Sequence, residues 1–168
     1  MDSRTAAFVE RMGLTLEADG MPRIAGRIFG LLLVSDDARS LDDLAAELRV
    51  SKGSTSTNTR LLEQRGLLER VCRPADRRDY YRVRPDLFNH TMALRLARWE
   101  RFHQAIAEAR TTLEITSPEV RERLEDYEQA YGFMSHTIRE ALSHWQAIRE
   151  ERSDKAEPMT THLLTIKS

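Results

Sequence analysis

The chain has 168 residues, of which 40% are hydrophobic and 32% charged, while glycine and proline number only 7 and 5. This composition favours long, exposed helices and argues against a turn-rich β-sandwich or barrel. The single cysteine, Cys72, excludes an internal disulfide and a zinc site built on paired thiolates. No stretch approaches the roughly 18 apolar residues of a membrane span, and no signal-peptide pattern opens the chain, so a soluble cytoplasmic protein without membrane contact is expected.

The net charge of −1 hides an uneven distribution of charged side chains. Residues 49–84 contain ten basic and four acidic side chains, whereas residues 118–154 contain five basic and nine acidic ones. A compact basic third in a nearly neutral chain is typical of a surface that binds a polyanion. A chance excess of charge on solvated helix faces would give the same count, so the charge alone leaves both interpretations open.

Apolar residues at helical spacing predict two N-terminal helices. The first covers residues 5–17 and ends before Gly20, and the second begins after Pro22 and runs to about residue 34. Ser40 is a suitable N-cap for a third, short helix with acidic residues in its first turn.

A helix-turn-helix unit is predicted from the next N-cap, Ser51, about three residues after the short helix. The helix over residues 52–65 is expected to end at Gly66, a natural C-terminal stop. Thr55, Thr59 and Leu62 share the face that would pack on the domain. The opposite face is small and polar, and no acidic residue occurs between positions 47 and 63.

Such a helix suits the recognition helix of a winged helix-turn-helix, whose N-terminal residues meet base edges in the major groove. Hydroxyl groups can bond base edges or phosphates, and glycine allows close approach. A run rich in Ser and Thr also suits a loop, but the capped helix before it and the glycine stop and basic hairpin after it favour the helix. The residues assigned to DNA contact are Ser51, Lys52, Gly53, Ser54, Ser56, Thr57 and Arg60.

A β-hairpin, the wing, is predicted next. Residues 67–73 alternate in a strand-like manner, residues 80–84 favour a second strand, and a proline-containing turn separates them. Arg77 and Arg78 near the tip are assigned to DNA, where an arginine can enter the minor groove or hold a phosphate. Asp76 would hold the turn or orient Arg78 by a charge-assisted hydrogen bond. The alternative is a solvated turn.

Two long helices are predicted in the remainder, over residues 86–113 and 118–150. The second carries apolar residues at nearly heptad spacing, which is typical of a seam between helices. Aromatic side chains concentrated here could form a dimer core or line an effector pocket, including a cage for a quaternary ammonium ion. The residues assigned to the effector pocket are Trp99, His103, Tyr127, Tyr131 and Trp145.

No constellation for catalysis or for metal binding is found. None of the five histidines lies in the pattern of a helical zinc site, and no phosphate loop, nucleotide-binding glycine turn or nucleophile elbow is present. Cys72 lies between basic residues that could make it a redox switch, but half-buried packing on a hairpin strand is the favoured interpretation. Neither a metal nor a cofactor is expected, and the chain is not expected to be an enzyme.

The sequence resembles the GbsR branch of the MarR-type transcriptional regulators. The resemblance lies in MPRIAGRI at residues 21–28, in the segment from Leu41 through VSKGS at residues 50–54 to Gly66-Leu67, and in Asp76-Arg77-Arg78, which is similar to the Asp-x-Arg wing signature. It implies a homodimer, a pseudo-palindromic promoter site and control by a small ligand. Thr55 and Thr59 depart from the aliphatic residues common in such proteins, which implies looser packing under the recognition helix.

The sequence therefore predicts a mainly α fold: a winged helix-turn-helix domain with an N-terminal helix over residues 1–84, a helical region for dimerisation and effector binding over residues 85–152, and a tail over residues 153–168. The expected function is that of a sequence-specific DNA-binding transcriptional regulator, a repressor that binds double-stranded DNA as a homodimer. The alternatives are a winged-helix protein-interaction module that does not read DNA and a small enzyme that uses the aromatic pocket.

Overall fold

The computed structural model describes residues 1–74 and 76–156, with only the helical backbone for residues 153–156. The described residues divide into two compact units, one up to residue 91 and the other from residue 92 onward. The last helix continues to Ala156, and the rest of the predicted tail, residues 157–168, lies outside the described residues. Among the described residues, no helix combines the length and the hydropathy of a membrane span.

The architecture is mainly α with one small antiparallel sheet, which confirms the predicted fold class. The elements in chain order are α1 Ser3–Ala18, α2 Arg23–Leu33, β1 Arg39–Ser40, α3 Leu41–Leu48, α4 Lys52–Gln64, β2 Leu68–Arg73, β3 Asp76–Val83, α5 Leu87–Thr112 and α6 Pro118–Ala156. Helices α3 and α4 form the helix-turn-helix, and β2 and β3 form the wing.

Capping residues define where the helices begin. Asp2 caps α1, because its Oδ1 accepts hydrogen bonds from the backbone N–H groups of Arg4 at 2.8 Å and Thr5 at 3.1 Å. Ser40 and Asp43 form a capping box at α3, in which each side chain accepts a hydrogen bond from the other's backbone N–H. Hydrogen bonds from the Ser40 hydroxyl and backbone hold the pKa of Asp43 below its usual range.

The turn between α3 and α4 uses a left-handed residue. Arg49 has φ of 54°, a conformation that costs a side chain with a Cβ some free energy. The backbone N–H of Val50 donates to the carbonyl of Ala45 at 3.0 Å and closes the end of α3. Gly66, with φ of 71°, ends α4 as the sequence predicts.

The sheet has a strand that the sequence analysis did not predict. Its strand order is β1-β3-β2, and all pairs are antiparallel. In β1, Arg39 pairs with Tyr81 and Ser40 pairs with Tyr80, so the wing is joined directly to the N-cap of α3. The β2–β3 register shifts between Val71 and Arg73. The position of the wing is therefore tied to the helix-turn-helix by backbone hydrogen bonds.

The core of the first unit lies under α4. Its fully buried side chains include Ile28 of α2, Leu44 and Leu48 of α3, Leu62 of α4 and Leu68 of β2. Because one hydrophobic cluster contains residues of both helix-turn-helix helices and of the wing, burial of apolar surface holds these elements in one arrangement.

The second unit contains an antiparallel helix pair with little burial. Phe102 of α5 stacks on Tyr131 of α6, with ring centroids 5.4 Å apart. Ion pairs also join the helices, and Arg110 Nη2 lies 2.7 Å from Glu125 Oε1. No described side chain of α5 is buried, and Phe133 of α6 is 67% exposed. Among the described residues, this unit therefore leaves several large apolar side chains exposed within a single chain.

Candidate nucleic-acid interface

Helix α4 has the two faces that the sequence predicts. Thr55, Thr59 and Leu62 are completely buried against the first unit. On the opposite side, Ser51, Lys52, Gly53, Thr57 and Arg60 are exposed, while Ser54 and Ser56 are half-buried. All seven residues assigned to DNA on this helix thus lie together on one accessible surface.

Two hydroxyl groups at the start of α4 have their oxygens engaged as acceptors. Ser51 Oγ accepts a hydrogen bond from the backbone N–H of Ser54 at 3.2 Å, which is the N-cap that the sequence predicts. Asn58 Nδ2 donates to the backbone oxygen of Ser54 at 2.8 Å and to Ser54 Oγ at 3.4 Å. A hydroxyl whose oxygen accepts a hydrogen bond still has its O–H group free to donate, so both serines can act as donors to another molecule.

An acidic side chain lies beside this surface, which the sequence analysis missed. Lys52 Nζ is 2.7 Å from Asp42 Oδ1, and the two side chains are 77% and 54% exposed. Asp42 belongs to the first turn of α3, so the absence of acids between positions 47 and 63 did not reveal it. Asp42 and Lys52 meet across the predicted turn between the two helices, and that turn was the signal that could have revealed the pair.

Arg60 is the cation of α4 that remains unpaired. Within the described part of the chain it makes no hydrogen bond or ion pair, and it lines a cleft of about 360 Å³ between α4 and the sheet. Arg70 and Asp79 form an ion pair at 3.2 Å on the wall of this cleft. Burial of Tyr81, which also lines the cleft, raises the pKa of its phenol. The guanidinium of Arg60 is therefore available to an external anion or base edge.

The wing is organised around Asp76, as the sequence predicts. Its carboxylate accepts hydrogen bonds from the backbone N–H of Arg78 at 2.9 Å, from Arg78 Nη2 at 2.7 Å and from the Tyr80 hydroxyl at 2.7 Å. These hydrogen bonds, those from Arg78 above all, hold the pKa of Asp76 well below its usual range. Arg77 is exposed and makes no hydrogen bond or ion pair with the other described residues.

A second arginine, Arg73, connects the wing to the segment that precedes α3. The Arg73 guanidinium lies 4.2 Å from the centroid of the Tyr80 ring, and Arg73 Nη2 donates to the carbonyl of Ala38 at 3.0 Å. Ala38 belongs to the loop before β1, so this bond links the wing to the segment that leads into α3.

The expectation that Cys72 is half-buried is wrong, because this residue is exposed. The outer part of the hairpin extends past the core, and both of its faces meet solvent.

The residues assigned to an effector pocket lie in α5 and α6. Tyr127, 52% exposed, stacks on Tyr131 with ring centroids 6.3 Å apart, and Tyr131 also stacks on Phe102, a residue that the sequence analysis missed. A methyl group at Gly132 would lie 3.5 Å from His103 Nε2, so α6 passes close to this histidine. The remaining two assigned residues, Trp99 and Trp145, are half-buried.

Metal ligands do not gather anywhere in the described ranges. No group of three or more His, Cys, Asp or Glu side chains within residues 1–74 and 76–156 is placed to hold a metal ion.

Comparisons with known proteins agree on the type of protein. The family model described as MarR family matches residues 19–79. The chain is 34% identical over 139 residues to the HTH-type transcriptional regulator MmpR5 of Mycobacterium tuberculosis, covering 82% of this chain and 84% of that protein. It is 25% identical to the HTH-type transcriptional repressor OpcR of Bacillus subtilis over 55% of this chain and 50% of that protein.

A solved structure extends this similarity to the fold. A crystal structure of a transcriptional regulator superposes with a TM-score of 0.76 at 32% sequence identity, covering 86% of this chain and 99% of that one.

Proposed function

The chain belongs to the MarR family of DNA-binding transcriptional regulators, and from this we propose that the outer face of α4 reads the major groove while the wing contacts the backbone or the minor groove. The observation that carries the proposal is the composition of that face: hydroxyl donors, a glycine and one unpaired arginine, with the exposed arginine Arg77 on the neighbouring hairpin. Ser51, Ser54 and the first-turn backbone suit phosphates, whereas Ser56, Thr57 and Arg60 lie farther along the helix and suit base edges.

The proposal includes a homodimer joined by the helices of the second unit. Support comes from the exposed apolar side chains of α5 and α6, among them Phe102, Leu113, Tyr127 and Phe133. Large apolar side chains left exposed in this number favour an interaction surface on these helices. A dimer with two-fold symmetry would bind a pseudo-palindromic promoter site, with its two recognition helices about 34–36 Å apart or a multiple of this distance.

The remaining parts of the proposal concern regulation and role. A repressor is favoured because OpcR, a similar protein, is named a repressor and because a protein bound at a promoter excludes other proteins from it. Placement in the GbsR branch is supported by the runs at residues 21–28 and 41–67. Regulation by a small ligand in the second unit is supported by the stacked rings of Phe102, Tyr131 and Tyr127. The chain would act by binding and not by catalysis.

The test is a footprint of the full chain on the DNA that flanks its own gene, followed by binding measurements on the protected sequence. Arg60→Ala should cost about 1–3 kcal/mol of binding free energy and relax specificity at one base position. Arg11→Ala, an exposed arginine on α1, is the matched control and should bind as the wild type does. If Arg60→Glu binds as tightly as the wild type, α4 does not read DNA.

A further inference from the structure

An ion pair between Asp42 and Lys52 joins the first turn of α3 to the first turn of α4. The carboxylate and the ammonium are 2.7 Å apart, and both side chains are more than half exposed. Lys52 is the first residue of α4 and the only lysine assigned to DNA contact, so Asp42 holds a negative charge directly beside that surface.

The capping hydrogen bonds of α3 do not involve Asp42, which adds only a negative charge to the first turn of this helix. The capping box at the start of this helix consists of Ser40 and Asp43, which satisfy each other's backbone N–H groups. An exposed ion pair between a lysine and a carboxylate contributes little to stability, because water and salt screen it and both side chains lose conformational freedom. The effect of the pair on stability is therefore small, while its effect on the charge of the DNA-facing surface is one full unit.

We propose that Asp42 is a specificity-determining residue that withholds the charge of Lys52 from DNA of the wrong sequence. A phosphate can bind Lys52 only by displacing Asp42, which exchanges one anionic partner for another and leaves the carboxylate close to the DNA. At the correct site, base contacts by the rest of α4 hold the helix in place and offset this exchange. On other sequences nothing offsets it, so Lys52 stays paired and non-specific binding loses one phosphate contact.

The inference rests on the proposed placement of α4 on DNA, and a double-mutant cycle tests it with the full chain. Asp42→Asn, Lys52→Ala and the double variant are titrated with a random-sequence duplex between about 50 and 200 mM salt, where each phosphate contact adds about 0.9 to the salt slope. Asp42→Asn should steepen the slope by about 0.9, so that the ratio of its affinity to that of the wild type falls about three-fold across this range. The slope of Lys52→Ala should equal that of the wild type, and the slope of the double variant should equal that of Lys52→Ala.

Two results would overturn the inference. An unchanged slope for Asp42→Asn would show that Asp42 does not keep Lys52 from contacting random DNA. If Asp42→Asn steepens the slope equally in the Lys52→Ala background, the carboxylate repels DNA in general and the pair has no role.

Binding measurements on the footprinted sequence distinguish failure of this inference from failure of the proposed function. There Lys52→Ala should weaken binding, and Asp42→Asn should raise the affinity for random DNA more than that for the site. If neither Lys52→Ala nor Arg60→Ala affects binding to the footprinted sequence, the proposed placement of α4 fails. If Lys52→Ala weakens binding there and Asp42→Asn leaves the random-DNA slope unchanged, only the inference about Asp42 fails.

Discussion

Asn58 holds Ser54 from the buried side of α4: its Nδ2 donates to the backbone oxygen of Ser54 at 2.8 Å and to the hydroxyl oxygen at 3.4 Å. Asn58 is itself nearly buried, so it has no route to DNA. We expect Asn58→Ala to weaken DNA binding by about 0.5–1.5 kcal/mol, the net value of one hydrogen bond, because the Ser54 hydroxyl loses its orientation.

Ser54→Ala supplies the control for this effect. In that background, Asn58→Ala should cause no further loss of affinity in a fluorescence-anisotropy titration, with the unfolding midpoint monitored for each variant. A full additional loss would mean that Asn58 acts through the stability of the helix and not through Ser54.

Thr59 buries a hydroxyl whose Oγ1 has no hydrogen-bond partner within the described residues. Thr59→Val removes this desolvated group at nearly the same shape and should raise the free energy of unfolding by about 1–2 kcal/mol. Thr55→Val is the matched control, because the Thr55 hydroxyl donates to the carbonyl of Ser51 at 3.1 Å, and it should be neutral or destabilising. Urea denaturation at a fixed chain concentration measures both. If Thr59→Val lowers the free energy of unfolding, the prediction is contradicted.

The wing should contribute part of the salt dependence of DNA binding. Arg77 and Arg78 are both exposed cations of β3, and each phosphate contact releases about one counterion. Replacing both with Ala should reduce the slope of log K against log salt by about 1–2. Arg11→Ala should leave the slope as it is. A double variant with the wild-type slope would place the wing off the DNA.

The hydrogen bonds to Asp76 should make wing stability depend on pH. Its pKa in the folded chain is lowered, so its contribution is present above the unfolded pKa of about 3.9 and is lost as the pH falls below it. The difference in melting temperature between the wild type and Asp76→Asn should therefore be constant from about pH 7 to 5 and narrow below about pH 4. A difference that grows on acidification would have the wrong sign and would refute this account.

The helices of the second unit should hold the dimer. Leu142 lies half-buried on the apolar side of α6, and Leu142→Asp would place an unpaired charge in the seam, giving monomers or an insoluble chain. Ala147→Asp, at an exposed position on the same helix, should remain dimeric. Light scattering distinguishes these states. A stable wild-type monomer at micromolar concentration would remove the basis for palindromic binding.

The helices of this protein follow from its sequence alone, except that the last one continues to Ala156, past the predicted end at residue 150. Asp19-Gly20, Ser51, Gly66 and Ser117 mark helix ends, and capping hydrogen bonds join residues no more than five positions apart. The buried face of α4 was equally accessible, since helical periodicity places Thr55, Thr59 and Leu62 on one side. Local physics decides these features, and local sequence therefore predicts them.

Tertiary structure decided the features that depend on residues distant in the chain. The two-residue strand β1 has no propensity signal of its own and exists because β3 offers an edge to Arg39 and Ser40. The pairing of Asp42 with Lys52 arises because the turn at Arg49 brings two helix starts together. Cys72 is exposed because its strand extends past the core that covers Leu68. In each case the partner, or its absence, is set by packing that no local pattern encodes.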